Sequence, residues 1–149
     1  ELKRGAVYGG YDATTAAALI DELGIAADIA MLGSVSYEQL HTLYHSCDLF
    51  VCPSYAESFG HPLIEAMASG VPVLAADLPV HREVCGDAAL YFDVFDVQAL
   101  AVQAVRILRE PCLQAQLRER GQRRSAEFSW ERHCQQLLGL IDRAAKSSN

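Results

Sequence analysis

The residues best suited to chemistry lie in one stretch, residues 53–74. It contains two glutamates, Glu57 and Glu65, and a loop glycine, Gly60, followed closely by Pro62. Proline is favoured at the first position of a helix, where its missing N–H costs nothing, so we predict that a helix starts at Pro62. A helix N-terminus offers free N–H groups and the positive end of the helix dipole, which suit a phosphate. We therefore expect an anion site between two carboxylates.

Carboxylates at these two positions suit a ligand rich in hydroxyl groups. Each can accept hydrogen bonds from two hydroxyls and so can hold a vicinal diol. A nucleotide sugar carries such hydroxyls on its ribose and on its hexose, with a diphosphate between them. A plainer interpretation also fits, in which Glu57 is a surface acid of the loop and Glu65 complements the helix dipole. The residue types alone leave both interpretations open.

The elements that must position these groups alternate along the chain. Short apolar runs bounded by Gly, Pro or Asp predict five strands. Between them, Ser36 and Gln39 have the spacing of a capping box, and an earlier helix runs from Asp12 as N-cap to Gly24 as its stop. Strands alternating with helices predict a Rossmann-like α/β fold, a parallel sheet with helices on both faces. The predicted strands lie around residues 6–8, 29–32, 49–52, 73–75 and 89–92.

After the last strand the pattern is helical. One apolar stripe covers residues 97–108, a second begins at Trp130 behind Ser129 as N-cap, and the segment between them has weaker helical periodicity. We expect Trp130 and Tyr91 to lie in the core rather than to act as stacking platforms. The remaining histidines lack metal-ligand spacing and are expected on helix surfaces or partly buried: His41, His45, His81 and His133.

Composition narrows the classes of function. A chain of 149 residues predicts a single domain over residues 1–149, and its net charge of −7 argues against nucleic acid as a partner. Five cysteines without a C-x-x-C pair indicate neither a disulfide framework nor a zinc site and fit the reducing cytoplasm. Basic residues concentrate after residue 100, a distribution that suits solvated helix faces or peripheral contact with a membrane surface.

The stretch from Pro53 to Val73 resembles the signature of retaining glycosyltransferases of family 4, which have the GT-B architecture. The pattern P-S-x-x-E-x-F-G-x-x-x-x-E-A-M-A-x-G-x-P-V is matched without a gap. The resemblance continues on both sides, through residues 31–48 upstream and through residues 83–92 and 128–130 downstream. It therefore covers nearly the whole chain.

The resemblance implies a role for each matching position. Glu57 would contact hydroxyls of the transferred sugar as the catalytic residue, and Glu65 would contact the ribose. Main-chain N–H groups at the helix start would hold the diphosphate, while residues 33–35 would lie beside the base. The side chain of His61 is expected to face solvent. Besides the two glutamates, the implied donor-binding residues are Gly33, Val35, Ser58, Phe59, Gly60, His61 and Leu63.

The resemblance also implies parts that lie outside this sequence. The chain starts at Glu1, and we expect it to be the C-terminal, donor-binding half of a GT-B enzyme that lacks its first strand–helix unit. That unit supplies an Arg and a Lys for the diphosphate, and a separate N-terminal domain binds the acceptor. In a sheet ordered 3-2-1-4-5-6 the missing strand is central, so we expect a gap between the first and third visible strands and impaired stability.

The expected function is retaining transfer of a sugar from a nucleoside diphosphate sugar, without a metal or other cofactor. The isolated chain should be inactive. A non-enzymatic module that binds nucleotide sugars is the alternative. The expected location is the cytoplasm or the inner face of the membrane.

Overall fold

The computed structural model describes residues 5–7 and 13–147, in which strands and helices alternate up to residue 109 and two more helices follow. The strands are β1 (Gly5–Val7), β2 (Ile29–Met31), β3 (Phe50–Cys52), β4 (Val73–Ala76) and β5 (Ala89–Phe92). The helices are α1 (Ala13–Glu22), α2 (Tyr37–Ser46), α3 (His61–Ala68), α4 (Pro79–Cys85), α5 (Val97–Arg109), α6 (Pro111–Ser125) and α7 (Trp130–Ser147). The alternating α/β pattern predicted from the sequence is confirmed.

The chain divides into two compact units, the first ending at Leu40 and the second beginning at His41. In the first unit β1 and β2 pair in parallel, with Val7 opposite Met31. In the second unit β3, β4 and β5 form a parallel sheet in that order. A single domain over residues 1–149 remains a prediction.

Cap residues set several helix ends where the sequence predicts them. The backbone N–H of Ser36 donates to Gln39 Oε1 at 2.8 Å, and the N–H of Gln39 donates to Ser36 Oγ at 3.2 Å, so the capping box is closed. Ser129 Oγ accepts from the N–H of Arg132 at 3.2 Å at the start of α7. The predicted glycine stop after α1 is also confirmed, since Gly24 has a φ of +66°. Asp12 lies outside the described residues.

The core of the second unit is built around β4, whose four residues are all buried. Leu74 and Ala76 belong to one buried hydrophobic cluster with Phe92 of β5, Ile107 of α5 and Leu117 of α6. The strand's other two side chains alternate to the opposite face of the sheet and are also completely buried. The sheet is therefore covered on both faces, as predicted.

Among the described residues, β1 pairs with β2 and β3 pairs with β4, and no strand joins β1 to β3. β1 and β3 each lie at an edge of their own sheet within the described part of the chain. The expected gap between these two strands stays a prediction.

The last helix departs from the sequence prediction. Trp130 is 79% exposed, so its expected place in the core is wrong. Leu138 and Ile141 on the same helix are also more than half exposed. The apolar stripe of α7 was correctly read from its periodicity, but periodicity does not show whether a partner covers the stripe. None of the described helices is both long and apolar enough to cross a membrane.

Candidate functional site

The loop between β3 and α3 turns sharply just before the helix begins. Gly60 lies in the left-handed region, with φ +86° and ψ +48°, and an added Cβ there would lie 2.9 Å from Leu63 Cδ1. Both facts favour glycine. The helix begins at His61, so Pro62 is its second residue and the predicted start at Pro62 is wrong by one. Gly60 is the N-cap, and a missing N–H is also harmless at the second helical position.

The carboxylate of Glu57 is held by the backbone of its own loop. Its Oε1 accepts hydrogen bonds from the N–H of Ser58 at 2.9 Å and the N–H of Phe59 at 3.5 Å. The hydrogen bond from the Ser58 N–H is the main cause that lowers the pKa of Glu57 below its ordinary value of 4.5, and the N–H groups of Phe59 and Gly60 act in the same direction. The side chain is exposed, so an ionised carboxylate faces solvent beside the start of α3.

The carboxylate of Glu65 is held from another helix. It lies on α3 and is half-buried, and its Oε2 accepts a hydrogen bond from the Tyr44 hydroxyl of α2 at 3.1 Å. Tyr44 is 6% exposed, and its ring meets the Phe50 ring edge-on at 5.6 Å between centroids. Tyr44 is not among the site residues predicted from the sequence. The available signal was that a buried tyrosine needs a partner for its hydroxyl.

Aromatic contacts support the loop next to Glu57. The Phe59 ring, 38% exposed, lies edge-on to the His61 ring at 4.8 Å and to the Phe128 ring at 6.1 Å between centroids. His61 is exposed at the first residue of α3, and Ser58 is also exposed. Leu63 is completely buried, and its N–H donates to the Gly60 carbonyl at 3.0 Å. The Leu63 N–H therefore closes the first helical turn in this structure.

His81 lies at the carboxyl ends of β3 and β4. Its Nδ1 lies 2.8 Å from the Ala76 carbonyl oxygen at the end of β4, which requires the proton on Nδ1. Its Nε2 lies 3.9 Å from Cys52 Sγ at the end of β3. His81 is completely buried, so the expectation of a surface or partly buried histidine is wrong. The short helix α4 directs this side chain inward, where the sheet-strand ends supply its partners.

Two further predicted site residues lie in the first unit, in the connection between β2 and α2. Gly33 is exposed with φ +61°, and Val35 is half-buried. Their place beside a base stays a prediction. Across residues 5–7 and 13–147, no group of three or more histidine, cysteine, aspartate or glutamate side chains is arranged to hold a metal ion.

The chain belongs to the family described as glycosyl transferases group 1, whose sequence model matches residues 5–124. The resemblance seen in the sequence is thereby confirmed.

Individual relatives agree with this assignment. D-inositol 3-phosphate glycosyltransferase of Mycolicibacterium smegmatis is 38% identical over 130 residues, 85% of this chain and 29% of that protein. Sucrose-phosphate synthase of Thermosynechococcus elongatus has a TM-score of 0.82 at 28% identity, over 97% of this chain and 39% of that structure. HepE of Anabaena, solved with UDP-glucose, has a TM-score of 0.82 over 94% of this chain and 41% of that structure; at 23% identity it shows the fold alone. The chain spans less than a third of the curated relatives it matches.

Proposed function

We propose that this chain is the donor-binding part of a retaining glycosyltransferase that uses a nucleoside diphosphate sugar. The observation that carries the proposal is the placement of two glutamates about one helix start at the carboxyl end of β3. Glu57 precedes the Gly60 turn and Glu65 follows it on α3. In open α/β sheets, ligands bind beyond the carboxyl ends of the strands, and a helix N-terminus there suits a diphosphate.

Each part of the donor has a matching group in this arrangement. The N-terminus of α3, with the N–H group of His61, faces the diphosphate. Glu65 receives the ribose hydroxyls and Glu57 receives hydroxyls of the transferred sugar, with Ser58 and Phe59 beside it. The sequence resemblance alone assigns Gly33 and Val35 to the base. HepE of Anabaena, which shares this fold, was solved with UDP-glucose, and this supports the ligand class.

The bond that breaks joins the anomeric carbon of the sugar to a diphosphate oxygen. The bond that forms joins the same carbon, with retained configuration, to an acceptor oxygen, whose proton passes to the departing diphosphate oxygen. Negative charge develops on the leaving diphosphate, and the dipole of α3 stabilises it together with basic residues of the full-length protein. This mechanism requires no metal ion.

The acceptor belongs to a second domain of the longer enzyme, and the cytoplasm or the inner face of a membrane is the proposed location. Basic residues in the C-terminal third are the feature that suits a membrane surface. A non-enzymatic binding module gains no support from the relatives, which are named as transferases and synthases.

Titration calorimetry of the full-length protein tests the ligand class. UDP, GDP, ADP and their sugar conjugates are titrated into the wild type, into Glu65→Gln and into Glu119→Gln, an exposed glutamate of α6 that serves as the control. We expect one nucleotide to bind, and Glu65→Gln to weaken it by about 10- to 100-fold, the value of a hydrogen bond to a charged group. Absence of binding by a folded wild type, or equal binding by both variants, contradicts the proposal.

A further inference from the structure

Tyr44 reaches from α2 to the carboxylate that the proposed function assigns to the ribose. Its hydroxyl oxygen lies 3.1 Å from Glu65 Oε2 and 3.4 Å from the carbonyl oxygen of Pro62. A tyrosine hydroxyl carries a single proton and donates to one acceptor at a time. The carboxylate is both the closer and the charged acceptor, so the proton points to Glu65.

The donor in this contact is itself fixed. Tyr44 is almost completely buried, and its ring packs edge-on against Phe50 of β3. A rigid donor from the sheet side holds one oxygen of Glu65 and thereby sets the plane of the whole carboxylate. The other lone pairs of the Glu65 carboxylate, which do not accept from Tyr44, therefore keep a constant direction relative to the N-terminus of α3.

A carboxylate of fixed plane favours a particular kind of ligand. Two neighbouring hydroxyls on a rigid ring can be accepted together only when both carboxylate oxygens face them. A carboxylate free to rotate must lose that freedom when the ligand binds, which reduces the gain from the second hydroxyl. Preorientation therefore matters most for a diol and least for a ligand with one hydroxyl.

We propose that Tyr44 is a positioning residue that makes the site selective for the vicinal diol of a ribonucleotide over a 2′-deoxyribonucleotide. The inference rests on the proposed function, because it takes Glu65 as the ribose ligand. Tyr44 itself touches no substrate and acts through the orientation of Glu65.

The test compares affinities for a ribonucleoside diphosphate and its 2′-deoxy counterpart in the full-length protein. UDP, GDP and ADP are titrated with their 2′-deoxy forms into the wild type and into Tyr44→Phe, which keeps the ring against Phe50 and removes the hydroxyl. Tyr37→Phe is the matched control, since Tyr37 begins the same helix and is 78% exposed. The free energy of unfolding of each variant verifies that the fold is retained.

We expect the wild type to prefer the ribonucleotide by about 10-fold or more, the value of one hydrogen bond to a charged group. In Tyr44→Phe this preference should fall several-fold, whereas Tyr37→Phe should keep it. In Tyr44→Phe/Glu65→Gln the preference should fall no further than in Glu65→Gln alone, because both substitutions act on one contact.

Other outcomes separate the two proposals. If Tyr44→Phe loses affinity for both nucleotides equally, Tyr44 has only a structural role and the inference is wrong, while the proposed function stands. The inference also fails if the wild type binds nucleotides without preferring ribose. If a folded wild type binds no nucleoside diphosphate, the proposed function fails and this inference with it.

Discussion

The two glutamates of the candidate site are held by different parts of the molecule. Glu57 is exposed, and its partners are the N–H groups of the next residues in its own loop, Ser58 and Phe59. Glu65 is half-buried, and its partner is Tyr44, 21 residues earlier on another helix. The first arrangement is local and charge-dependent, whereas the second depends on the packing of α2 beside α3 and β3.

This difference predicts different responses to substitution. Removing the Glu57 carboxylate takes away a proposed ligand and also releases the N–H groups that it orders. Removing the Tyr44 hydroxyl takes away the hydrogen bond that orients the Glu65 carboxylate and leaves the hydrogen bonds of Glu57 in place. Substitution of Glu57 should therefore have the larger effect on activity. Substitution of Tyr44 should instead change the selectivity for ribonucleotides.

The largest expected effect comes from Glu57→Ala in the full-length enzyme. It removes both the proposed sugar contact and the loop acceptor, so kcat for sugar transfer should fall by at least about 100-fold. Glu57→Gln keeps an oxygen that can accept from the Ser58 N–H and should lose less. Steady-state transfer assays measure both, with Glu119→Ala as the control. A kcat in Glu57→Ala equal to that of the wild type would contradict the proposed catalytic role of Glu57.

A smaller effect is expected from Gly60→Ala at the start of α3, with Gly70→Ala after its end as the matched control. Both glycines have positive φ, and in both an added Cβ would approach a neighbouring atom to 2.9 Å. At Gly60 that atom belongs to buried Leu63, but at Gly70 it is the end of the flexible Gln122 side chain. Gly60→Ala should lower the free energy of unfolding by about 1–3 kcal/mol.

Urea denaturation measures this difference, and calorimetry adds a second readout. Gly60→Ala should also weaken nucleotide binding, because the left-handed turn at Gly60 orients the start of α3 and alanine would strain that turn. Gly70→Ala should lose stability through its backbone conformation alone and bind normally. Equal losses of binding in the two variants would show that the Gly60 turn has no special part in the site.

The smallest expected effect is a pH dependence of stability that belongs to Glu57. Folding lowers the pKa of this carboxyl below 4.5, so its stabilising contribution is complete above the unfolded pKa and is lost as pH falls through the folded pKa. The group is exposed, so solvent screening keeps the contribution small. Between about pH 5 and pH 3, the free energy of unfolding should fall more steeply in wild type than in Glu57→Gln. Parallel curves from urea titrations at each pH would rule out this contribution.

The predictions that succeeded from sequence concern contacts within a few residues. The bonds of Ser36 with Gln39 and of Ser129 with Arg132 each span three residues, so the capping residues can be read directly from the spacing. The strands follow from short apolar runs, and the parallel sheet follows from their alternation with helices. The helix start at Pro62 was off by one residue because the turn that precedes it depends on the backbone at Gly60.

The predictions that failed concern packing contacts, which helical periodicity does not indicate. His81 has the spacing of an ordinary helix residue, yet it is completely buried and its Nε2 lies near Cys52, 29 residues earlier. Trp130 has the spacing of a core residue but is 79% exposed. Helical periodicity identifies the face to which a side chain belongs, and only packing decides what covers that face.

The sequence by itself determined the alternating α/β fold, the family, and the positions of Glu57 and Glu65 about a helix start. These features depend on residue types at fixed short spacings, which local backbone geometry converts directly into structure. Only the tertiary structure decided that Tyr44 holds Glu65 and that His81 links the ends of β3 and β4. Such contacts join residues 21 and 29 positions apart, and they form only when separate elements pack against one another.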